Sequence, residues 1–145
     1  MNYTPKNFKA YEFVSEKFYN TWKENSFWFI DQGLLRDLDF LREHFGVGIT
    51  INDWKWGGNY NASGLRQQGD EHFNPTSAHS FGKAVDIKVK DKKSKDVIEE
   101  IKKLKREGKL KYITRLELNT NGWTHIDTFN AKPNDKLNNL FTFNP

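Results

Sequence analysis

The chain of 145 residues is long enough for one domain with a single core and leaves little room for a second. It contains no cysteine, which excludes disulfides and thiolate metal sites, so any metal must be held by His, Asp or Glu. Twelve Phe, five Trp and five Tyr with a net charge of +4 make the composition of a folded domain, not of a disordered tail.

In chain order, residues 1–30 carry Phe8, Tyr11, Phe13, Val14, Phe18 and Trp22 at loosely helical intervals, and predict a short helix or two packed on the body. Leu34, Leu35, Leu38, Leu41 and Phe45 then mark one face of an amphipathic helix. Asp31 is placed to cap its start, and Gly46 to end it in a left-handed conformation. A strand is expected from Val47 to about Trp54.

Residues 55–82 are rich in Gly, Asn and Ser and show no sustained period, which predicts a long functional loop. The loop runs into AVDIKV, a strand whose Val85, Ile87 and Val89 share one face and leave Asp86 on the other. A second amphipathic helix turns Val97, Ile98, Ile101 and Leu104 inward and ends at Gly108. Tyr112–Leu118 and Trp123–Thr128 read as two strands of a hairpin joined through NTNG. The tail from Pro133 is expected to be irregular or a short terminal helix. This order predicts an α+β domain, 1–145, with helices on one face of a largely antiparallel sheet and the other face open for chemistry.

The basic excess lies largely between Lys88 and Lys111, where acidic residues are interleaved, and reads as a solvated helix face rather than a nucleic-acid patch. The N-terminal MNYTPKNFKAYEF lacks the apolar run of a secretory signal, and no stretch approaches the length of a membrane span. A soluble chain, monomeric and without an export address or a membrane partner, is the expectation.

The chemistry concentrates in SAHSFGKAVDI, residues 77–87, and WTHID, residues 123–127. His79 ends the loop, and Asp86 sits on the strand that follows. In the last strand Trp123, His125 and Asp127 share a face, the open one if Ile126 turns to the core. Two imidazoles and a carboxylate are good zinc donors, and three protein ligands leave a fourth position for reaction. Spacing alone leaves the alternatives of a hydrogen-bonded loop histidine and a paired strand aspartate open.

Ser77, His79, Gly82, Ala84 and Asp86 match the S-x-H-x-x-G-x-A-x-D pattern of the zinc D-Ala-D-Ala carboxypeptidases. That family shares its fold with phage L-alanyl-D-glutamate endolysins and the Hedgehog signalling domain. WTHID resembles the family's second ligand motif, and Ser63-Gly64-Leu65-Arg66 resembles its S-G-[YF]-R segment. The three motifs come in the family's order and span Ser63 to Asp127.

The resemblance implies a Hedgehog/DD-peptidase-like fold and a Zn2+ ion on His79, Asp86 and His125. It further implies hydrolysis of peptide bonds in peptidoglycan stem peptides, of carboxypeptidase or endolysin type. As a compact single domain it resembles the family's phage lysis or virion-associated hydrolases, which implies action from the host cytoplasm or the virion. Arg66 is implied as a substrate anchor that also stabilises developing charge. Ser77 and Asp127 are expected to orient ligands, with Trp123 beside them or on the substrate.

The chain departs from the pattern at Gly122, three residues before the last ligand, where many members carry an acidic acid/base. Alternation puts Leu116 and Leu118 on the core face and Glu117 on the open one, so Glu117 is the substitute base; pairing with Arg115 is its alternative. Loss of that carboxylate motivates the competing expectation of a zinc-bearing binding or virion structural module of the same fold. Trp54, Trp56 and Tyr60 are expected to wall the groove or pack on the body. His72, in the same loop, could contact substrate and is not expected as a ligand; His44 favours the helix dipole and is given no functional role.

Overall fold

The structure, a computed structural model, describes residues 2–145. It is α+β, with three α-helices and a mixed five-stranded sheet. Helix α1 (Glu16–Trp22) starts at Ser15, whose hydroxyl accepts the Phe18 N–H at 3.2 Å. It lies between 3-10 turns at Ala10–Glu12 and Lys23–Phe29, so the aromatic N-terminal segment is helical in short pieces.

Helix α2 (Gln32–Phe45) begins where sequence places it, with the Asp31 carboxylate accepting the Leu34 N–H at 3.0 Å. It ends at Gly46, φ 68°. Its four leucines, Leu34, Leu35, Leu38 and Leu41, are completely buried. Helix α3 (Ser94–Arg106) buries Val97, Ile98, Ile101 and Leu104, and the left-handed Gly108 follows it.

The strands are β1 (Ile49–Thr50), β2 (Ala84–Val89), β3 (Arg115–Glu117), β4 (Thr124–Asp127) and β5 (Phe141–Phe143), in the spatial order β1-β2-β4-β3-β5. The first three pairings are antiparallel, and β3 with β5 is parallel. Val85, Ile87, Val89, Leu116 and Ile126 join the α2 and α3 residues in one hydrophobic cluster, which is where the alternation of β2 and β4 directs them. Fully burying an aliphatic side chain contributes about 1.5–3 kcal/mol, so this face fixes the register, and a slip of one residue would turn Asp86 and His125 inward.

Two expectations need correction. The strand from Val47 to Trp54 shrinks to Ile49–Thr50. Asn52 leaves the ladder because its N–H bonds Glu12 O, while its side-chain amide donates to Val14 O and accepts the Ser63 N–H. Trp54–Trp56 is a 3-10 turn closed by Gly57 at φ 85°. The tail is not helical or wholly irregular: β5 adds to the sheet, pairing Arg115, Leu116 and Glu117 with Phe141, Thr142 and Phe143. The alternating Phe-Thr-Phe was legible, but its partner, the edge of β3, was not.

Asp37 on α2 accepts the N–H groups of Lys111, Tyr112 and Ile113 at 3.1, 2.8 and 2.8 Å. This carboxylate clamps the approach to β3. Among the described residues, no helix is long and apolar enough to cross a membrane.

Candidate metal centre

The β2–β4 register places Asp86 directly opposite His125 on the face away from the helices. His79 reaches them from a 3-10 turn, Ala78–Phe81, that precedes β2. The Ser77 hydroxyl caps that turn by accepting the His79 N–H at 3.2 Å. Gly82 ends it at φ 68°, and a β-carbon there would stand 1.7 Å from Phe29 O, so only glycine fits.

His79 Nε2, His125 Nδ1 and Asp86 Oδ1 converge. The nitrogens are 3.2 Å apart and lie 3.3 and 3.0 Å from the carboxylate oxygen. His79 and His125 are buried. Each ring is oriented from behind: His79 Nδ1 donates to Gly64 O at 2.8 Å, and His125 Nε2 donates to Asp127 Oδ2 at 2.8 Å. The outward acceptors, a carbonyl and a carboxylate, turn His79 Nε2 and His125 Nδ1 toward Asp86. Two inner nitrogens and a carboxylate oxygen packed this closely could hold a metal ion.

The charges agree with that geometry. Burial alone would raise the Asp86 carboxyl, but hydrogen bonds to His125 and His79 hold it well below the usual carboxylate range. Burial opposes charge on His125, yet Asp127 and Asp86 overcome it and push its pKa up to about 9. A proton is what His125 shares with Asp86 when no metal does so. Asp127, fully buried, is itself held low despite burial, by His125 and by Arg115 Nε at 2.8 Å.

No family model, curated protein or solved structure matches this chain. The chemistry of the cleft therefore rests on its own residues.

The His/Asp group opens into a cleft of about 890 Å³ lined also by Arg66, Glu117, Gly122 and Trp123. The β3–β4 register pairs Arg115 with Asp127 and Leu116 with Ile126, and Glu117, next along β3, lines the cleft together with His125. Arg115 is committed to Asp127 and stacks over Phe129 and Phe143, so it is not the partner of Glu117. Burial raises the Glu117 carboxyl, His125 lowers it and Asp86 raises it, with a net rise. Among the described residues Glu117 has no ion-pair partner. Gly122, at φ 96°, would carry a β-carbon into open space, which leaves room in the cleft beside Glu117.

Arg66 lines the cleft. Its Nη2 donates to Asp86 Oδ2 at 3.0 Å and its Nε to Ala62 O at 2.6 Å. It orients the Asp86 carboxylate through the oxygen that does not face the histidines. Trp123 is half-exposed at the cleft mouth. His72 lines the cleft and pairs with Glu71 at 3.3 Å. His44 lies outside it, bridging α2 to α3 through Glu100 at 2.8 Å.

Of the three aromatics expected to wall the groove, only Tyr60 does so. Trp54 donates its indole N–H to Val14 O, and both Trp54 and Trp56 pack edge-on to Tyr11. Lys88 was missed. It follows Asp86 by two residues and so shares its face of β2, a signal present in the alternation but hidden by its place in a lysine-rich run.

Proposed function

We propose that this protein is a zinc peptidase of the Hedgehog/DD-peptidase type, hydrolysing peptide bonds in peptidoglycan stem peptides. The carrying observation is the closure of His79, Asp86 and His125 to 3.0–3.3 Å with both rings oriented from behind. Four donors around a tetrahedral zinc at ordinary bond lengths stand about 3.3 Å apart, which this spacing approaches. Two neutral imidazoles and a carboxylate suit zinc better than the hard oxygen-seeking cations. The stem-peptide substrate is supported by the resemblance of the three ordered motifs between Ser63 and Asp127, not by the geometry.

When bound, zinc would polarise the scissile carbonyl and make water acidic enough to attack near neutral pH. Glu117 takes the proton from the attacking water and returns it to the departing amine, a role suited to a carboxyl raised by burial and free of an ion pair. Arg66 and Asp127 hold Asp86 and His125 in position. Trp123 lines the cleft, where it offers an apolar face to the bound peptide.

The test incubates the zinc-loaded protein with purified peptidoglycan and measures new amino termini, with mass spectrometry of the released peptides. Stem-peptide cleavage supports the reading; a folded, zinc-bound protein that releases nothing overturns it. Gly122 in the place of the family's acid favours one second reading, a zinc-bearing binding module without turnover, which that negative result would support.

A further inference from the structure

The cleft holds a cation that the ligand set does not use. Lys88 projects from the same face of β2 as Asp86, two residues on, and lines the cleft. Its ammonium lies 3.7 Å from the centroid of the Tyr60 ring and donates to Ser63 Oγ at 3.1 Å. Neither contact carries a negative charge. The carboxylates whose fields reach it, Asp86 and Asp53, are occupied elsewhere: Asp86 with Arg66 and the histidines, Asp53 with the Tyr60 N–H at 2.8 Å.

Among the described residues, Lys88 forms no salt bridge. A half-buried ammonium held by a hydroxyl and an aromatic face retains donor capacity for an anion, and its stem is fixed so that little further order is lost on binding. Arg66, the residue that resemblance suggests as the anchor, already has its Nη2 on Asp86 and its Nε on Ala62 O.

We propose that Lys88, seated on Tyr60 and Ser63, is the subsite that anchors a free carboxylate of the substrate beside the metal centre. The inference rests on the peptidase reading for the word substrate, while the anion site itself does not. Lys88 shares one face of β2 with Asp86 and lines the cleft onto which His79, Asp86 and His125 open, so the anchored carboxylate lies on the same bound peptide as the scissile bond. This selects peptides with a terminal or side-chain carboxylate near that bond over internal, amidated stretches of chain.

The test titrates the zinc-loaded protein with N-acetyl-D-alanine and with N-acetyl-D-alaninamide, following NMR shifts of the Tyr60 ring and the Lys88 ammonium. A charge-assisted contact predicts at least about tenfold tighter binding of the acid, a preference lost in Lys88→Met and retained in Lys88→Arg. Equal binding of acid and amide, or binding of neither, overturns the subsite. So does a preference that survives in Lys88→Met, because the carboxylate is then held by the metal or by Arg66.

A kinetic arm separates the two readings. Cleavage of free-acid and amidated stem peptides with equal kcat/KM sinks the subsite and leaves the peptidase standing. Lys88-dependent binding of the acid without any cleavage does the reverse.

Discussion

His125 Nε2 donates to the buried Asp127 carboxylate over 2.8 Å, and that contact decides which nitrogen faces His79 and Asp86. Asp127 is fixed in turn by Arg115 and by the Phe129 N–H at 3.1 Å. His125 is thus held by Asp127 on its own strand, which Arg115 on β3 secures in turn. Asp127→Asn removes the charge that secures the ring and leaves Arg115 without its partner. Zinc affinity should fall about 10–100-fold, measured by competition with a chelating dye. Unchanged affinity would mean that the ring is oriented by packing alone.

Arg66 and Glu117 should separate by what each loses. Arg66→Ala leaves Asp86 Oδ2 without its guanidinium, so zinc affinity should drop together with turnover. Glu117→Gln keeps size and removes the base: turnover should fall about 10²–10⁴-fold with zinc affinity nearly unchanged. Parallel metal titrations and single-turnover rates distinguish the two patterns. A Glu117→Gln protein with wild-type rates would remove Glu117 from the chemistry.

The His125 pKa, pushed up to about 9 by Asp127 and Asp86 against burial, sets a pH dependence for the zinc-stripped protein. The folded value lies above the ordinary 6.5, so this interaction stabilises the metal-free fold fully below pH 6.5 and is lost as pH rises through about 9. Zinc competes with the same proton, and its affinity should rise across that window. The Tm gain on adding zinc should therefore grow from pH 6.5 to 9. A gain that is flat or shrinks over that range contradicts the assignment of the shared proton to His125.

Gly82 combines a left-handed backbone with a close approach to Phe29 O. Gly82→Ala should cost about 2 kcal/mol or more and displace the turn that carries His79. Thermal melting should show a Tm lower by about 5 °C or more, with weaker zinc binding.

Much of this is legible in the sequence itself. The leucine stripe of α2, with Asp31 and Gly46 at its ends, follows local rules, and so does the two-faced pattern of AVDIKV that separates Val85 from Asp86. Those rules brought Asp86 and His125 to one side of the sheet. They did not reveal that Arg66 points its Nη2 at Asp86, because that contact joins a loop to a strand twenty residues on. They did not reveal β5, whose three residues pair with an edge formed nearly thirty residues earlier. Asp37, the clamp on residues 111–113, reads in sequence as an ordinary helix acid. Non-local pairing decided each of these.

The most direct test strips the protein with a chelator and returns zinc stepwise while cleavage of a stem peptide is followed. The account predicts cleavage that rises with zinc and saturates at one equivalent per chain, with none in His79→Ala. Cleavage indifferent to zinc, or one bound equivalent with no cleavage at all, would contradict a catalytic metal centre on His79, Asp86 and His125.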